Sequence, residues 1–448
     1  MDIPGFDADD PRMEQLREML SKMGITIGPD GTPDMNSMSR VVEAMMRQHQ
    51  TQMAGFGATD PSGVNWGFVS SIARRALKPG PETGWPTSGE LNDAVGLADL
   101  WLDDEISFGR ISSNWVGWNR QDWVGHTLAA WKELVQPLMT SLGNEWQSLT
   151  ANTADTTLTI WRPMLRAASG ALLGGALGQA LGQLASGALS AGDIGLPLTS
   201  QPLVALVLPN IAEFAAGLEQ PKSDVYLFLA IRESARQRLF GATPWLGPQL
   251  LAMVNHYASE IRIDAESLRD AVSGQLDGLR AEDASDQERM EAFRTVFVPT
   301  RTPTQNEVLE RLETLLALIE GWVDEVTSRV TTSRMPAAEA LTEVLRRRRA
   351  AGGPAESAMK TLFGAELSPR RTRDAANLWA ATRAKRGHAE RDAAWLHPDM
   401  LPTATDLDDP LDYAAQGSVI SGDSFDKELA DFLDSAGPDG LTGPDAQG

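Results

Sequence analysis

The order of hydrophobic and polar positions divides the chain into stretches of different character. From 91 to 165 apolar residues recur at helical spacing, and tryptophan is frequent: Trp101, Trp115, Trp118, Trp123, Trp131, Trp146 and Trp161. That spacing predicts helices, and the area each indole buries predicts that these tryptophans are core. Residues 167–192 carry no charge, and Gly170, Gly174, Gly178 and Gly182 fall every fourth position. Small residues at this interval let two helices approach closely. The polar Gln179, Gln183, Ser186 and Ser190 on the same stretch favour a helix buried in a protein core over a membrane span. A short apolar run at 203–208, bounded by prolines, predicts the small β component. Beyond it, helical patterns alternate with short loops to about residue 413.

The two ends read differently. Residues 1–90 hold short amphipathic stretches (MEQLREML, SRVVEAMMRQH) separated by Gly, Pro and Asp clusters. They read as a poorly packed arm; such helices more often fold back on their own domain than dock on a partner, and the sequence does not decide between the two. Residues 414–448 are acidic and rich in Gly, Asp and Ser, which predicts a disordered tail with one short helical pattern, FDKELADFL. The organisation expected is therefore an arm (1–90), a mainly α domain with a small β component (91–413), and a tail.

Composition narrows the function classes. A net charge of −22 argues against binding nucleic acid or an anionic membrane surface. The arginine run at 346–349 (RRRR), just before Gly352 and Gly353, reads as a helix C-terminus with favourable positive charge. Cysteine is absent, so disulfides and thiolate metal sites are excluded. The opening MDIPGFDADD lacks the marks of a secretory signal, and with the missing cysteines it points to the cytoplasm. There is no GxSxG elbow, P-loop or dinucleotide fingerprint.

One segment is physically odd. SDVYLFLAIRESARQRLF predicts a helix over 223–240, with Ser223 or Asp224 placed to cap it. Val225, Phe228, Leu229, Leu239 and Phe240 form one face, and Arg232 and Arg236 fall in its middle. An unpaired buried ion costs several kcal/mol. Either carboxylates meet these guanidinium groups, or the arginines reach out to solvent. On a later helical pattern, NEVLERLETLLALIEGWVDEV, Glu320 lies at the border of the apolar stripe and Asp324 is expected to point further toward solvent.

The stretch LVLPNIAEFAAGLEQPKSDVYLFLAIRESARQRLFGATPWL resembles an actinobacterial zincin-like metallopeptidase family. So do EGWVDEV and the block SPRRTRDAANLWAATRAKRGHAERDAAWLHPDMLPTATDLDDP, and the similarity covers about 91–413. The resemblance implies a zincin-like helical core and, in zinc-binding members, an HExxH helix: two histidine ligands one turn apart and a glutamate that activates metal-bound water. Here the motif is RExxR. Arg232 and Arg236 stand at the histidine positions, Glu233 keeps the general-base position, and Glu320 matches the third ligand. Guanidinium has no lone pair for a metal, so no cofactor is expected where the resembled family uses zinc. Glu233 and Glu320 are expected to pair with Arg232 or Arg236 in place of the metal. Of the five histidines (His49, His126, His256, His388, His397), His256 is the one with a fair chance of lying nearby, and no two share ligand spacing.

Three readings follow. The first is a catalytically silent binding or regulatory module for an unknown protein or peptide partner. The second is a hydrolase that uses Glu233 with ligands not identified. The third is an assembly or membrane-associated protein that uses the glycine-spaced helix.

Overall fold

The computed structural model describes residues 64–111, 115–151, 156–261, 301–354, 356–357, 360 and 368–416. The amphipathic stretches at the N-terminus and the FDKELADFL pattern of the tail lie outside these residues.

The described chain is built from helices around one two-stranded parallel sheet. In order these are α1 (Trp66–Arg75), α2 (Ser88–Asp103), β1 (Val116–Trp118), α3 (Arg120–Ala151) and α4 (Thr156–Gly187). Then follow β2 (Ala205–Val207), α5 (Leu208–Ala216), α6 (Lys222–Ala242), α7 (Leu246–Ser259) and α8 (Pro303–Thr331). The last are α9 (Ala338–Ala350), α10 (Pro369–Arg386), α11 (His388–Ala393), α12 (Ala404–Asp408) and α13 (Pro410–Gln416). The mainly α class with a small β component is what the apolar periodicities predict.

The glycine-spaced stretch is helical, as α4, but only to Gly187 and not to residue 192, because the residues beyond it pair with β2; Gly174, Gly178 and Gly182 face α1. A Cβ at Gly182 would lie 2.6 Å from the Ala73 carbonyl oxygen, and one at Gly178 2.8 Å from that of Val69. The two backbones are therefore in direct contact, which no larger residue permits. This packs one face of 64–75 against the core: Val64, Val69 and Ala73 are buried. The sequence pattern assigns them to the arm instead, because a ten-residue helix between Gly- and Pro-rich segments carries little signal of its own. No helix among the described residues is long and apolar enough to cross a membrane.

The apolar run at 203–208 becomes β2, paired in parallel with β1 in the register Val116–Ala205, Gly117–Leu206 and Trp118–Val207. On its other side the loop after α4 joins it: Ala191 N–H donates to the Ala205 carbonyl, and Val207 N–H to that of Leu189. This pairing fixes Ser190 and Gly192 beside α6. Trp118, Trp123 and Trp131 are buried, as expected of core indoles, and Trp101 and Trp115 are half-buried. The side chains of Trp146 and Trp161 lie outside the described residues.

α6 is the hub. It packs against α2, α8 and α9, with α5 at its start. Nearly every side chain from Val225 to Phe240 is buried, on all faces and not on one stripe. Its N-cap is Pro221, with no side-chain cap, so neither Ser223 nor Asp224 performs the expected capping. α8 packs against α6, α7, α9 and α10, and its residues from Leu315 to Thr327 are almost all buried.

Candidate functional site

The two arginines of α6 are buried, and each is paired. Arg232 is 5% exposed and Arg236 1%, so neither snorkels to solvent. Residues 232 and 236 are one turn apart, which directs both toward the same part of α8. There Glu320 and Asp324, again one turn apart, face them. Arg232 donates through Nη1 to Asp324 Oδ1 at 2.6 Å and through Nη2 to Glu320 Oε2 at 3.2 Å. Arg236 donates through Nε to Glu320 Oε1 at 3.0 Å and through Nη2 to Glu320 Oε2 at 3.1 Å, a bidentate fork. Its remaining Nη1 reaches Glu233 Oε2 at 2.7 Å.

Glu233 is 1% exposed and is held from several sides. Ser190 Oγ donates to its Oε2 at 2.6 Å, and the Gly192 N–H to its Oε1 at 3.1 Å. Gln237, one turn along α6, donates to Oε1 at 2.9 Å. A carboxylate offers about four acceptor positions, and all are taken. Gly192 has to be glycine for this approach, since a Cβ there would sit 2.7 Å from Arg236 Cδ and 3.2 Å from Glu233 Oε1. A glutamate so enclosed has no free lone pair with which to activate a water.

A third guanidinium completes the cluster. Arg349, in the last turn of α9, donates through Nη1 to Asp324 Oδ2 at 3.0 Å and through Nη2 to Glu320 Oε2. Three arginines (232, 236 and 349) thus meet three carboxylates (233, 320 and 324). Arg348 donates to the Gly187 carbonyl at the end of α4 and lies 3.9 Å from Asp193. Burial alone would raise the Asp324 pKa, but Arg349 and Arg232 overcome it and hold the carboxyl at about 2. Burial works against the charge of Arg236 as well, yet Glu320 and Glu233 push its pKa above the usual arginine value. Burial likewise disfavours ionised Asp193, and Arg348 and Arg236 outweigh it, so this pKa too lies below the ordinary one.

Asp324 sets a pH expectation. Its folded pKa lies below the unfolded one, so its contribution to stability is fully present above the unfolded value and is lost as pH falls through the folded value. Unfolding measured from pH 5 down to about pH 2 is expected to show a loss of about 2 kcal/mol from this group. Asp324→Asn should flatten that part of the profile, and an unchanged slope would contradict the assignment.

Two members of the cluster depart from what their sequence positions suggest. Asp324 is 8% exposed and does not point to solvent, because Arg232 of α6 and Arg349 of α9 meet it there. Arg349 is not simply helix-terminal charge. Its neighbour Arg347 does behave so, paired with Glu343 at the surface, whereas Arg349 turns inward. The spacing of Glu320 and Asp324, matching that of Arg232 and Arg236, is the available signal. Nothing in the sequence points to Ser190 and Gly192, which reach Glu233 through strand pairing. A second buried network, equally silent in the sequence, lies one residue further along α8. Arg391 (0% exposed) joins Glu325, Asp392 and the Glu105 carbonyl, with Trp322 Nε1 donating to Asp392 at 3.0 Å.

No histidine contacts the cluster among the described residues. His126 stacks on Trp118, His256, His388 and His397 are exposed, and His49 lies outside the described residues. Among the described residues no group of three or more His, Asp or Glu side chains is arranged to hold a metal ion. The residues at the site do not fit zinc: Arg232 and Arg236 present N–H donors where a metal needs lone pairs, and they occupy the oxygens of Glu320.

Comparison with known proteins agrees with this architecture at the level of fold. A solved structure described as a "putative hydrolase with a novel fold", from Chloroflexus aurantiacus, superposes with a TM-score of 0.56 at 18% identity. The match covers 79% of this chain and 98% of the other. No curated protein matches the chain. The family model for zincin-like metallopeptidases matches residues 64–414, which begins at the buried Val64, takes in α1 and runs into α13. The chain belongs to the zincin-like metallopeptidase family.

Proposed function

We propose that this chain is a zincin-fold protein in which an arginine–carboxylate network stands where peptidases of the fold carry zinc, and that it works in the cytoplasm as a non-hydrolytic binding or regulatory module. The observation that carries this reading is Arg236. Its guanidinium forms a fork with Glu320 and a further bond to Glu233, so one side chain engages both the third-ligand position and the general-base position. A positive charge held at this point takes over the electrostatic task of a metal cation, which is to neutralise converging carboxylates in a dry interior.

The hydrolase alternative needs Glu233 to accept a proton from a water. Its acceptor positions are filled by Ser190, Gly192, Arg236 and Gln237, and ordinary peptide substrates have no path to a side chain 1% exposed. The third reading, assembly through the glycine-spaced helix, loses its main feature, because the Gly178 and Gly182 face of α4 is covered by α1.

Elemental analysis of the purified full-length protein should find no stoichiometric zinc, and a chelator should leave its thermal midpoint unchanged. Zinc at one equivalent, together with destabilisation by the chelator, would overturn the proposal and return attention to Glu233 as a catalytic base.

A further inference from the structure

We infer that the groove between α3 and α4, one end of which holds α1, is filled further along by the chain's own residues 39–49 (SRVVEAMMRQH), docked there as an amphipathic helix.

α1 shows how the groove is used. It packs against both α4 and α3, which pack against each other. Three close approaches fix its direction. A Cβ at Gly174 would lie 3.9 Å from Val64 Cγ1, one at Gly178 2.8 Å from the Val69 carbonyl oxygen, and one at Gly182 2.6 Å from that of Ala73. α1 therefore runs parallel to α4, and the chain reaches Val64 from the Thr156 end of that helix. From Gly174 back to Thr156, α4 continues for roughly 27 Å at 1.5 Å per residue. Among the described elements α1 and α3 are the helices packed closely on α4, and α1 begins only at Trp66, so this length of the groove has no described occupant. Gly174, Gly178 and Gly182 are buried beneath α1, while Gly170, the next in the series, is half-buried.

The chain before Val64 supplies a fitting occupant. SRVVEAMMRQH is the amphipathic stretch nearest to Val64. At 100° per residue Val41, Val42, Met45, Met46 and His49 share an arc of about 140°, and Arg40, Glu43 and Arg47 lie together on the opposite side. As a helix it measures roughly 16 Å, which the unoccupied length of α4 accommodates. Residues 50–63 span up to roughly 46 Å when extended, enough to seat it there in either direction. α4 carries no charge from Ala167 to Gly187, so the Val and Met face would meet no ion there, and Met adapts to an irregular apolar surface. The charged side chains stay toward water. A helix this short is marginal in isolation, so the segment owes its helical form to docking. The zincin-like match begins at residue 64, so the docked helix is an addition to the family's core and not part of it.

The chain has no cysteine, so single introduced thiols report on the full-length protein. Met45→Cys should react with a maleimide at least tenfold more slowly than Arg47→Cys, and the ratio should not change with protein concentration. Gly170→Leu, which fills the groove, should bring the two rates together. Gly96→Leu, at a position where a Cβ meets nothing within 4 Å, should leave the ratio intact. If Gly170→Leu fails to fold, the pair Met45→Cys with Gly170→Cys should close an intramolecular disulfide on mild oxidation, and the pair Arg47→Cys with Gly170→Cys should not. Equal labelling of Met45→Cys and Arg47→Cys would overturn the inference and leave the groove to an external partner. Protection that appears only at high protein concentration, or a disulfide between two chains, would overturn it in favour of a second copy.

Discussion

Arg236→Met is expected to lower the unfolding free energy by about 3–5 kcal/mol, the cost of leaving buried charges without their partner. The side chain is nearly isosteric along its stem, so packing is largely kept, and what changes is the charge. Glu320 loses both arms of its fork with Arg236, and Glu233 loses the guanidinium at 2.7 Å. Combining Arg236→Met with Glu233→Gln and Glu320→Gln should recover part of the loss, because neutral amides no longer need a counter-ion. That recovery separates the penalty of an orphaned charge from the net worth of the ion pair, which in a buried setting is often small. Arg347→Ala, at an exposed pair, should cost less than about 1 kcal/mol. Urea unfolding of these variants reads all of the differences. A loss below about 1 kcal/mol for Arg236→Met would mean that water reaches the cluster and screens it.

The triple variant Arg232→His, Arg236→His, Arg349→Ala is expected to acquire stoichiometric zinc. Positions 232 and 236 lie one turn apart and both direct their side chains at Glu320, so two imidazoles and one carboxylate would converge from α6 and α8. Three protein ligands with one open position are the usual number for a catalytic zinc. Imidazole is shorter than the arginine side chain, and the metal fills the gap that the guanidinium now bridges. Arg349 must also go, since its Nη2 occupies Glu320 Oε2 and its charge would repel the ion. Elemental analysis and a zinc-dependent rise in thermal midpoint provide the readout. A triple variant that folds but takes up no zinc would show that the geometry of α6 and α8 no longer suits a metal, and the network would then be more than a substitution at two positions.

Much of this is legible in the order of residues. Arg232 and Arg236 stand out because two charges in the middle of an apolar stripe demand partners, and the family resemblance, not the spacing, names Glu320 as one of them. The helix over 223–240, the helical glycine-spaced segment, the short strand at 203–208 and the buried Trp118, Trp123 and Trp131 all follow from periodicity and size. Each of these depends on neighbours within about one or two turns, which is the range over which residue spacing carries information.

Other features depend on contacts between distant segments. Asp324 has the same spacing from Glu320 as Arg236 has from Arg232, yet whether that face of α8 meets solvent or protein is decided by α6 and α9. Arg349 is chemically identical to Arg347 and differs only in the side of α9 from which it projects. Ser190 and Gly192 reach Glu233 because the loop that holds them pairs with β2. Val64, Val69 and Ala73 are core because Gly178 and Gly182 admit the backbone of α1. That buried arginines here require carboxylates follows from the residues alone, since the cost of an unpaired interior charge does not depend on fold. Which carboxylates answer is settled by how α6, α8 and α9 pack. Ion pairing acts through space over a few ångströms, while Arg232 lies 92 residues from Asp324 and 88 from Glu320 along the chain.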